Sequence, residues 1–127
     1  MTSGEVAIRQ IGQIAINVHD INRAIEFYRD TLGLKLLFTA GNLAFFDCGG
    51  VRLMLSPPER PEFDHPASIL YFKVDDIHAA HARLVQRKAK IEGEPHIVAR
   101  MPDHDLWLAE FRDSEDNIMA FMHEARR

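Results

Sequence analysis

Residues 14–36 read IAINVHDINRAIEFYRDTLGLKL, a strand pattern followed directly by a helix pattern. Apolar side chains alternate over the first five residues, which is typical of a half-buried β-strand. Asp20 or Asn22 can then accept the free backbone amides of a first helical turn. An apolar stripe continues at helical spacing as far as Leu32. Gly33 follows, and glycine readily adopts the positive φ of a helix end. The stretch therefore predicts a β-α unit.

The same pattern returns in the second half of the chain. Residues 70–77, LYFKVDDI, align with residues 14–21, IAINVHDI, and share a valine, an aspartate and an isoleucine at the same places. Between the halves, residues 57–68 are rich in proline, which lacks a backbone donor and favours an extended linker. We therefore predict a single domain of two modules, at about residues 10–56 and 69–123, joined by this linker.

Each half has the order β-α-β-β-β. The predicted strands lie near residues 12–18, 34–39, 43–47 and 51–55 in the first module, and near 69–74, 96–101, 106–112 and 117–123 in the second. Neither module can bury a sheet face alone, so the two must pack together. The predicted fold class is α+β, with two βαβββ modules forming a curved eight-stranded mixed sheet. The helices lie on its convex side and a ligand cavity on its concave side.

Composition excludes several classes of protein. The chain has 127 residues, 46% apolar and 27% charged, which is ordinary for one globular domain. A net charge of −4 with scattered basic residues argues against nucleic-acid binding. No apolar run approaches the ~20 residues of a membrane span, and residues 1–10 lack the regions of a signal peptide. With Cys48 as the single cysteine, we expect a cytoplasmic protein.

Two segments carry a family resemblance. Residues 14–36 resemble the opening of the vicinal oxygen chelate superfamily, which includes glyoxalase I, bleomycin-resistance proteins, extradiol dioxygenases, methylmalonyl-CoA epimerase and fosfomycin-resistance enzymes. Residues 111–122, FRDSEDNIMAFM, are similar to its closing F-x-D-P-x-G-N hairpin, with Ser114 and Asp116 replacing proline and glycine. The resemblance covers residues 12–123. It implies the paired βαβββ fold, usually a homodimer, and a cavity that binds a small molecule.

The resemblance also implies a divalent metal held by the first and last strands of both modules. The matching positions here are Gln13, Met54, Ile69 and Ala120. Gln13 has an oxygen donor, whereas the thioether of Met54 is too soft for the usual metals of this superfamily. Isoleucine and alanine cannot coordinate. A catalytic metal needs about three protein ligands, so we predict no metal site and no cofactor.

The cavity lining follows from the alternation of side chains along each strand. One set of positions packs under the helices, and the other set faces the cavity. The predicted ligand-binding residues are Gln13, Asn17, Phe45, Arg52, Met54, Tyr71, Lys73, Leu108, Glu110, Ala120 and Met122. They combine an apolar floor with a few converging polar groups, which is typical of a small-molecule pocket.

Glu110 has two interpretations. A carboxylate on an apolar floor is a candidate general acid or base. Alternatively, it pairs with Lys73 or Arg52 and only shapes the fit of the ligand. The two cations can hold an anionic ligand or lie in solvent at strand ends. The sequence leaves open whether His65, His96 or His104 reaches the cavity.

The leading hypothesis is a metal-independent small-molecule-binding protein that sequesters an aromatic or antibiotic-like compound. The alternative is a lyase or isomerase, glyoxalase- or epimerase-like, that uses Glu110 or an unrecognised metal site. A third class is a protein-interaction module with a vestigial pocket. The expected partners are a small molecule and a second copy of the chain, with neither nucleic acid nor membrane.

Overall fold

The computed structural model describes residues 6–127, so the first five residues, on which part of the signal-peptide expectation rests, lie outside it. In the first module the elements are β1 Gln13–Asn17, α1 Ile21–Glu26, a π-helical turn Phe27–Thr31, β2 Lys35–Ala40, β3 Leu43–Cys48 and β4 Val51–Ser56. In the second module they are β5 Leu70–Lys73, α2 Ile77–Gln86, β6 Lys90–Ile91, β7 His96–Arg100, β8 His104–Arg112 and β9 Ile118–Arg126. The βαβββ order is thus confirmed, with one additional two-residue strand, β6, in the second module.

Both helices begin at an aspartate. The carboxylate of Asp20 accepts the N–H of Arg23 at 3.1 Å, and that of Asp76 accepts the N–H of Ala79 at 3.0 Å. Each bond satisfies an amide that the helix itself leaves without a partner. Of the two predicted caps of α1, Asp20 is therefore the one used. Gly33 has the positive φ, +76°, expected after the helix.

The strands form two hydrogen-bonded sheets within the described chain. The first sheet has the order β1-β4-β3-β2, and the second has the order β5-β9-β8, with β6 and β7 both along the far edge of β8. The short strand β6 was not predicted. Residues 92–95 interrupt the pairing with β8 and so separate β6 from β7. At the start of this interruption, the N–H groups of Glu92 and Gly93 both donate to the carbonyl of Glu110. The outer edges of β1 and β5 pair with no described strand.

The linker is less uniform than predicted. Residues 57–68 are mostly extended, but Pro61–Phe63 form one 3₁₀ turn. Proline suits the first position of such a turn because the missing N–H would have no partner there. The side chain of Asn17 donates to the carbonyls of Phe63 at 2.5 Å and His65 at 2.6 Å, so it ties this turn to β1.

Within residues 6–127, one apolar core connects the two modules. Its fully buried members alternate along the strands as predicted and include Ile16, Val18, Phe46, Leu53, Leu55, Phe111 and Met119. The helix-facing sides of both sheets contribute to this one cluster. The opposite sides of the sheets, here called the outer faces, therefore point away from it.

The turn between β8 and β9, residues 113–117, fastens the second module to the first. Glu115 accepts the backbone N–H groups of His19 at 2.7 Å and Asp20 at 2.9 Å, and pairs with Arg23 at 2.7 Å. Asn117 donates to the carbonyl of Asn17 at 2.9 Å. The closing hairpin that carries the family resemblance is thus an inter-module contact.

Candidate functional site

The outer face of the first sheet carries a row of apolar side chains. In the strand register, Met54 lies opposite Phe45, and Phe45 lies opposite Phe38. The rings of Phe38 and Phe45 stack with centroids 4.5 Å apart and planes 23° from parallel. Phe45 is buried, whereas Phe38 is 48% exposed. This row forms an aromatic platform that is open to solvent.

A cation lies beside this platform. The guanidinium carbon of Arg52 is 5.2 Å from the centroid of the Phe45 ring. Its Nε donates to the side-chain oxygen of Gln13 at 2.8 Å, which sets the orientation of the guanidinium. Arg52 forms no ion pair within residues 6–127, although Asp47 lies opposite it in the register. Five guanidinium donors are available on an arginine, so most of them are left for a ligand or for water.

Phe38 is not among the site residues that alternation predicts. Strict alternation would place Leu36 and Phe38 on the same face of β2. A β-bulge between them shifts the register, so that Leu36 lies opposite buried Phe46 and Phe38 lies opposite Phe45. Such a bulge inserts one residue and re-aims the side chains that follow. No local sequence signal marks it, because neither glycine nor proline interrupts the strand.

The outer face of the second sheet carries the other predicted residues. Glu110 lies opposite Ala120, and Ala120 lies beside Tyr71 on the edge strand. The next row along the strands consists of Leu108, Met122 and Lys73. The face predictions from alternation thus agree with the register in this sheet. Tyr71 is 51% exposed.

Glu110 has a different neighbour from the two that were predicted. Its Oε2 is 3.8 Å from Nε2 of His96, on the adjacent strand. Glu110 forms no ion pair with Lys73 or with Arg52. Lys73 lies 3.6 Å from Glu124 instead, and Arg52 belongs to the other sheet. The order of the strands explains this difference. His96 lies on β7, which adjoins β8, whereas Lys73 lies on β5, which is separated from β8 by β9.

The three histidines left open by the sequence lie in different places. His96 is on the outer face of the second sheet, opposite Leu108. His104 is mostly buried between Asp103 at 2.7 Å and Glu124 at 3.2 Å. His65 belongs to the linker and lines a cavity between the modules.

That inter-module cavity has a volume of about 580 Å³. Asn17 of the first sheet and Ile69 and Ile118 of the second contribute to its wall. At its border, Nε2 of His19 is 2.7 Å from Oδ1 of Asp64 in the linker. Apart from Asn17, the predicted site residues lie outside this cavity.

The predicted site residues therefore fall into two groups on two sheets. The first group is Gln13, Asn17, Phe45, Arg52 and Met54, and the second is Tyr71, Lys73, Leu108, Glu110, Ala120 and Met122. No side-chain hydrogen bond or ion pair joins a member of one group to a member of the other in the part of the chain described. One copy of the chain does not gather them around one cavity.

The four positions that match the family's metal ligands do not fit a divalent ion. Gln13 and Met54 adjoin, with Nε2 and Sδ 3.7 Å apart. Ile69 is exposed just before β5, and Ala120 is buried in β9. Two of the four side chains have no donor atom, and a thioether is a poor ligand for a hard or borderline ion. Residues 6–127 also contain no cluster of three His, Cys, Asp or Glu side chains arranged to hold a metal.

The fold and the matching hairpin define a class of small βαβββ-repeat proteins. The chain belongs to the Glyoxalase/Bleomycin resistance protein/Dioxygenase superfamily, whose model matches residues 10–121. The resemblance and the fold class predicted from sequence are thereby confirmed. None of the described helices is long and apolar enough to cross a membrane.

Individual relatives give the chain its context. It is 28% identical over 124 residues to the uncharacterised protein YraH of Bacillus subtilis, covering 84% of this chain and 92% of YraH. It is 33% identical over 72 residues to the metallothiol transferase FosB of Staphylococcus haemolyticus, covering 54% of this chain and about half, 52%, of FosB. Among solved structures, TnmS3, an antibiotic binding protein from a Streptomyces species, superimposes with a TM-score of 0.76 at 23% identity, covering 95% of this chain and all of TnmS3.

Proposed function

We propose that this protein binds a small organic molecule without a metal and sequesters an aromatic or antibiotic-like compound. The observation that carries the proposal is the exposed Phe38–Phe45 platform beside a guanidinium that has no carboxylate partner in the described chain. Exposed aromatic surface with a few oriented polar groups is the usual composition of a ligand site. The donor-poor set at the four metal positions and the antibiotic-binding relative TnmS3 support the same function.

We infer that a second copy of the chain completes the site. The two groups of site residues lie on different sheets, and the outer edges of β1 and β5 have no described partner. Unpaired edges and exposed apolar side chains such as Phe38, Ile69 and Tyr71 favour association. A homodimer that places β1 of one protomer beside β5 of the other would join the sheets into the curved sheet predicted from sequence. Each cavity would then contain one group from each protomer.

We further propose that the whole chain acts as one domain in the cytoplasm. Burial, reinforced by the charge of Asp47, raises the pKa of the Cys48 thiol. A protonated, half-buried thiol is poorly reactive. A lone, poorly reactive thiol suits a reducing cytoplasm, and the overall charge of −4 supports small molecules rather than nucleic acids as partners.

Native mass spectrometry of protein dialysed against EDTA tests this proposal. With doxorubicin, emodin or 2-naphthoate as probes, we expect a dimer that takes up at least one of them, to the same extent with and without added Zn²⁺, Mg²⁺ or Mn²⁺. The variant Tyr71→Asp places a charge on the β5 edge, and we expect it to give monomers that lose the probe. The matched control is Val85→Asp on α2, where the side chain is similarly exposed at 53%.

Three results would contradict the proposal. Stoichiometric metal that survives dialysis, or probe binding that requires added metal, would exclude the metal-independent function. A Tyr71→Asp protein that remains dimeric would exclude the arrangement with β1 beside β5. Absence of binding by all three probes would remove the support for an aromatic ligand.

The second candidate function is a lyase or isomerase that uses Glu110. It is favoured by the placement of Glu110 beside apolar Leu108 and Ala120, with Nε2 of His96 3.8 Å from its carboxylate, because a carboxylate and an imidazole are the usual general acids and bases. A Cβ at Gly93 would lie 2.6 Å from Oε1 of Glu110, so glycine leaves room for the carboxylate.

The metal-independent binding function predicts no turnover of the methylglyoxal–glutathione hemithioacetal. Formation of lactoylglutathione, followed by absorbance, checks this. If turnover is found and Glu110→Gln lowers it by roughly 100-fold or more, the enzyme is favoured instead. Glu62→Gln in the linker, which removes an exposed carboxylate paired with Arg60, is the matched control.

A further inference from the structure

We propose that the molecule bound on the outer face of the first sheet is a planar aromatic carboxylate. Its ring system stacks on Phe38, and its carboxylate binds the guanidinium of Arg52. This inference rests on the proposed binding function and specifies the chemistry of the ligand.

The bulge in β2 exposes the ring on which the ligand would stack. The bulge turns Phe38 away from the core and onto the outer face. There its ring stacks on Phe45, and 48% of Phe38 remains exposed. Leaving a phenyl ring in water forfeits much of the free energy that its burial would give. A flat ligand recovers it by covering the exposed ring, and Met54 extends the apolar floor next to Phe45.

Arg52 is the group that would bind the carboxylate of the ligand. Its Nε is bonded to Gln13, and its guanidinium rests on the Phe45 ring, so the group is oriented before any ligand arrives. The terminal nitrogens bind no carboxylate in residues 6–127. A planar fork of donors matches a carboxylate in bidentate fashion.

The surrounding charges favour an anion. Along the same row of the outer face, the register aligns Gln13, Arg52, Asp47 and Lys35. Two cations and one carboxylate leave this row positive, although the chain as a whole has a net charge of −4. Both Phe38 and Arg52 contact the Phe45 ring, so the exposed ring and the cation are close neighbours on the same face.

Isothermal titration calorimetry with three related probes tests the inference. The probes are 2-naphthoate, the neutral 2-naphthamide, and the saturated decahydro-2-naphthoate. We expect 2-naphthoate to bind at least tenfold more tightly than either analogue, and added KCl to weaken its binding but not that of the amide. We expect Arg52→Gln to abolish the preference for 2-naphthoate over 2-naphthamide. We expect Phe38→Leu to abolish the preference for 2-naphthoate over the saturated acid.

The matched control is Arg60→Gln. Arg60 also lies over a phenyl ring, that of Phe63 at 4.6 Å, but in the linker and paired with Glu62. We expect this variant to keep both preferences. Thermal unfolding of each variant verifies that it is folded, which we expect because Arg52 and Phe38 are exposed.

The outcomes separate this inference from the proposed function. Equal affinity of the wild type for 2-naphthoate and 2-naphthamide, or an acid preference that survives Arg52→Gln, overturns the carboxylate assignment. A ring preference that survives Phe38→Leu overturns the stacking assignment. In each case metal-independent binding of doxorubicin or emodin would leave the proposed function standing.

Discussion

Replacing Glu115 with alanine is expected to lower the free energy of unfolding by about 3 kcal/mol. The side chain is 1% exposed and accepts hydrogen bonds from Arg23 and from the backbone N–H groups of His19 and Asp20. Alanine leaves those two amides without an acceptor at the point where the modules meet. Arg23 is half-exposed and can be rehydrated, so the cost arises chiefly at the amides and at the lost contact between modules.

The same carboxylate makes stability depend on pH. Burial by itself would raise the pKa of Glu115, but hydrogen bonds from Arg23 and the two amides outweigh it and lower the pKa from 4.5 to about 2. A lowered pKa in the folded state means that the stabilisation is fully present above the unfolded value. It is lost as the pH falls from about 4.5 towards 2.

Urea unfolding at pH 7, 4.5 and 3 measures both effects. We expect Glu115→Gln to be less stable than the wild type at pH 7 and to lose less stability between pH 4.5 and 3. Glu62→Ala is the control, because the Arg60–Glu62 pair is exposed on both sides and such pairs contribute at most about 1 kcal/mol. If Glu115→Ala costs no more than this control, the turn does not fasten the modules together.

Replacing Asp113 with alanine is expected to cost about 3–5 kcal/mol of unfolding free energy. Asp113 is buried and accepts from the hydroxyl of Tyr28 at 2.7 Å, from the N–H groups of Asn117 at 2.8 Å and Glu115 at 2.9 Å, and from the side-chain amide of Asn117 at 3.0 Å. Each buried donor left without a partner costs about 1–3 kcal/mol. The four donors share one carboxylate, so their costs do not add fully.

Tyr28→Phe is the matched comparison for Asp113. It removes one of the four donors and keeps the acceptor for the other three, so we expect a loss of about 1–2 kcal/mol. Denaturant unfolding of both single variants and the double variant gives the coupling between the two groups. A double variant whose cost equals the sum of the single costs would mean that the Tyr28–Asp113 hydrogen bond contributes nothing of its own.

The closing hairpin also explains one departure from the family pattern. Asp116 stands where the pattern has glycine and adopts a φ of +70°, a conformation that glycine enters freely. Aspartate tolerates it better than most residues, and here its carboxylate pairs with Lys90 at 3.1 Å. The sequence showed the substitution, but the ion pair that accompanies it depends on β6, which was not predicted.

For the predicted site residues, the strand register agrees with the faces that alternation assigned, and it adds Phe38 to the outer face of the first sheet. Alternation assigned Arg52, Met54 and Phe45 to one outer face because each side chain's direction follows from its own strand. Phe38 could not be assigned, since the bulge depends on pairing with β3. The neighbour of Glu110 could not be identified either, because strand order decides whether His96 or Lys73 is adjacent to it.

The sequence by itself determined the local elements: two βαβββ repeats, a polar cap at the start of α1, and, outside the bulge in β2, which side chains of the paired strands face the core. These properties depend on residues a few positions apart, so periodicity and capping reveal them. Only the tertiary structure decided that the two sheets share one core, that residues 113–117 fasten the modules, and that the edges of β1 and β5 stay unpaired within residues 6–127. Those properties depend on contacts between residues far apart in sequence, where small differences in packing and hydrogen bonding select one pairing from many.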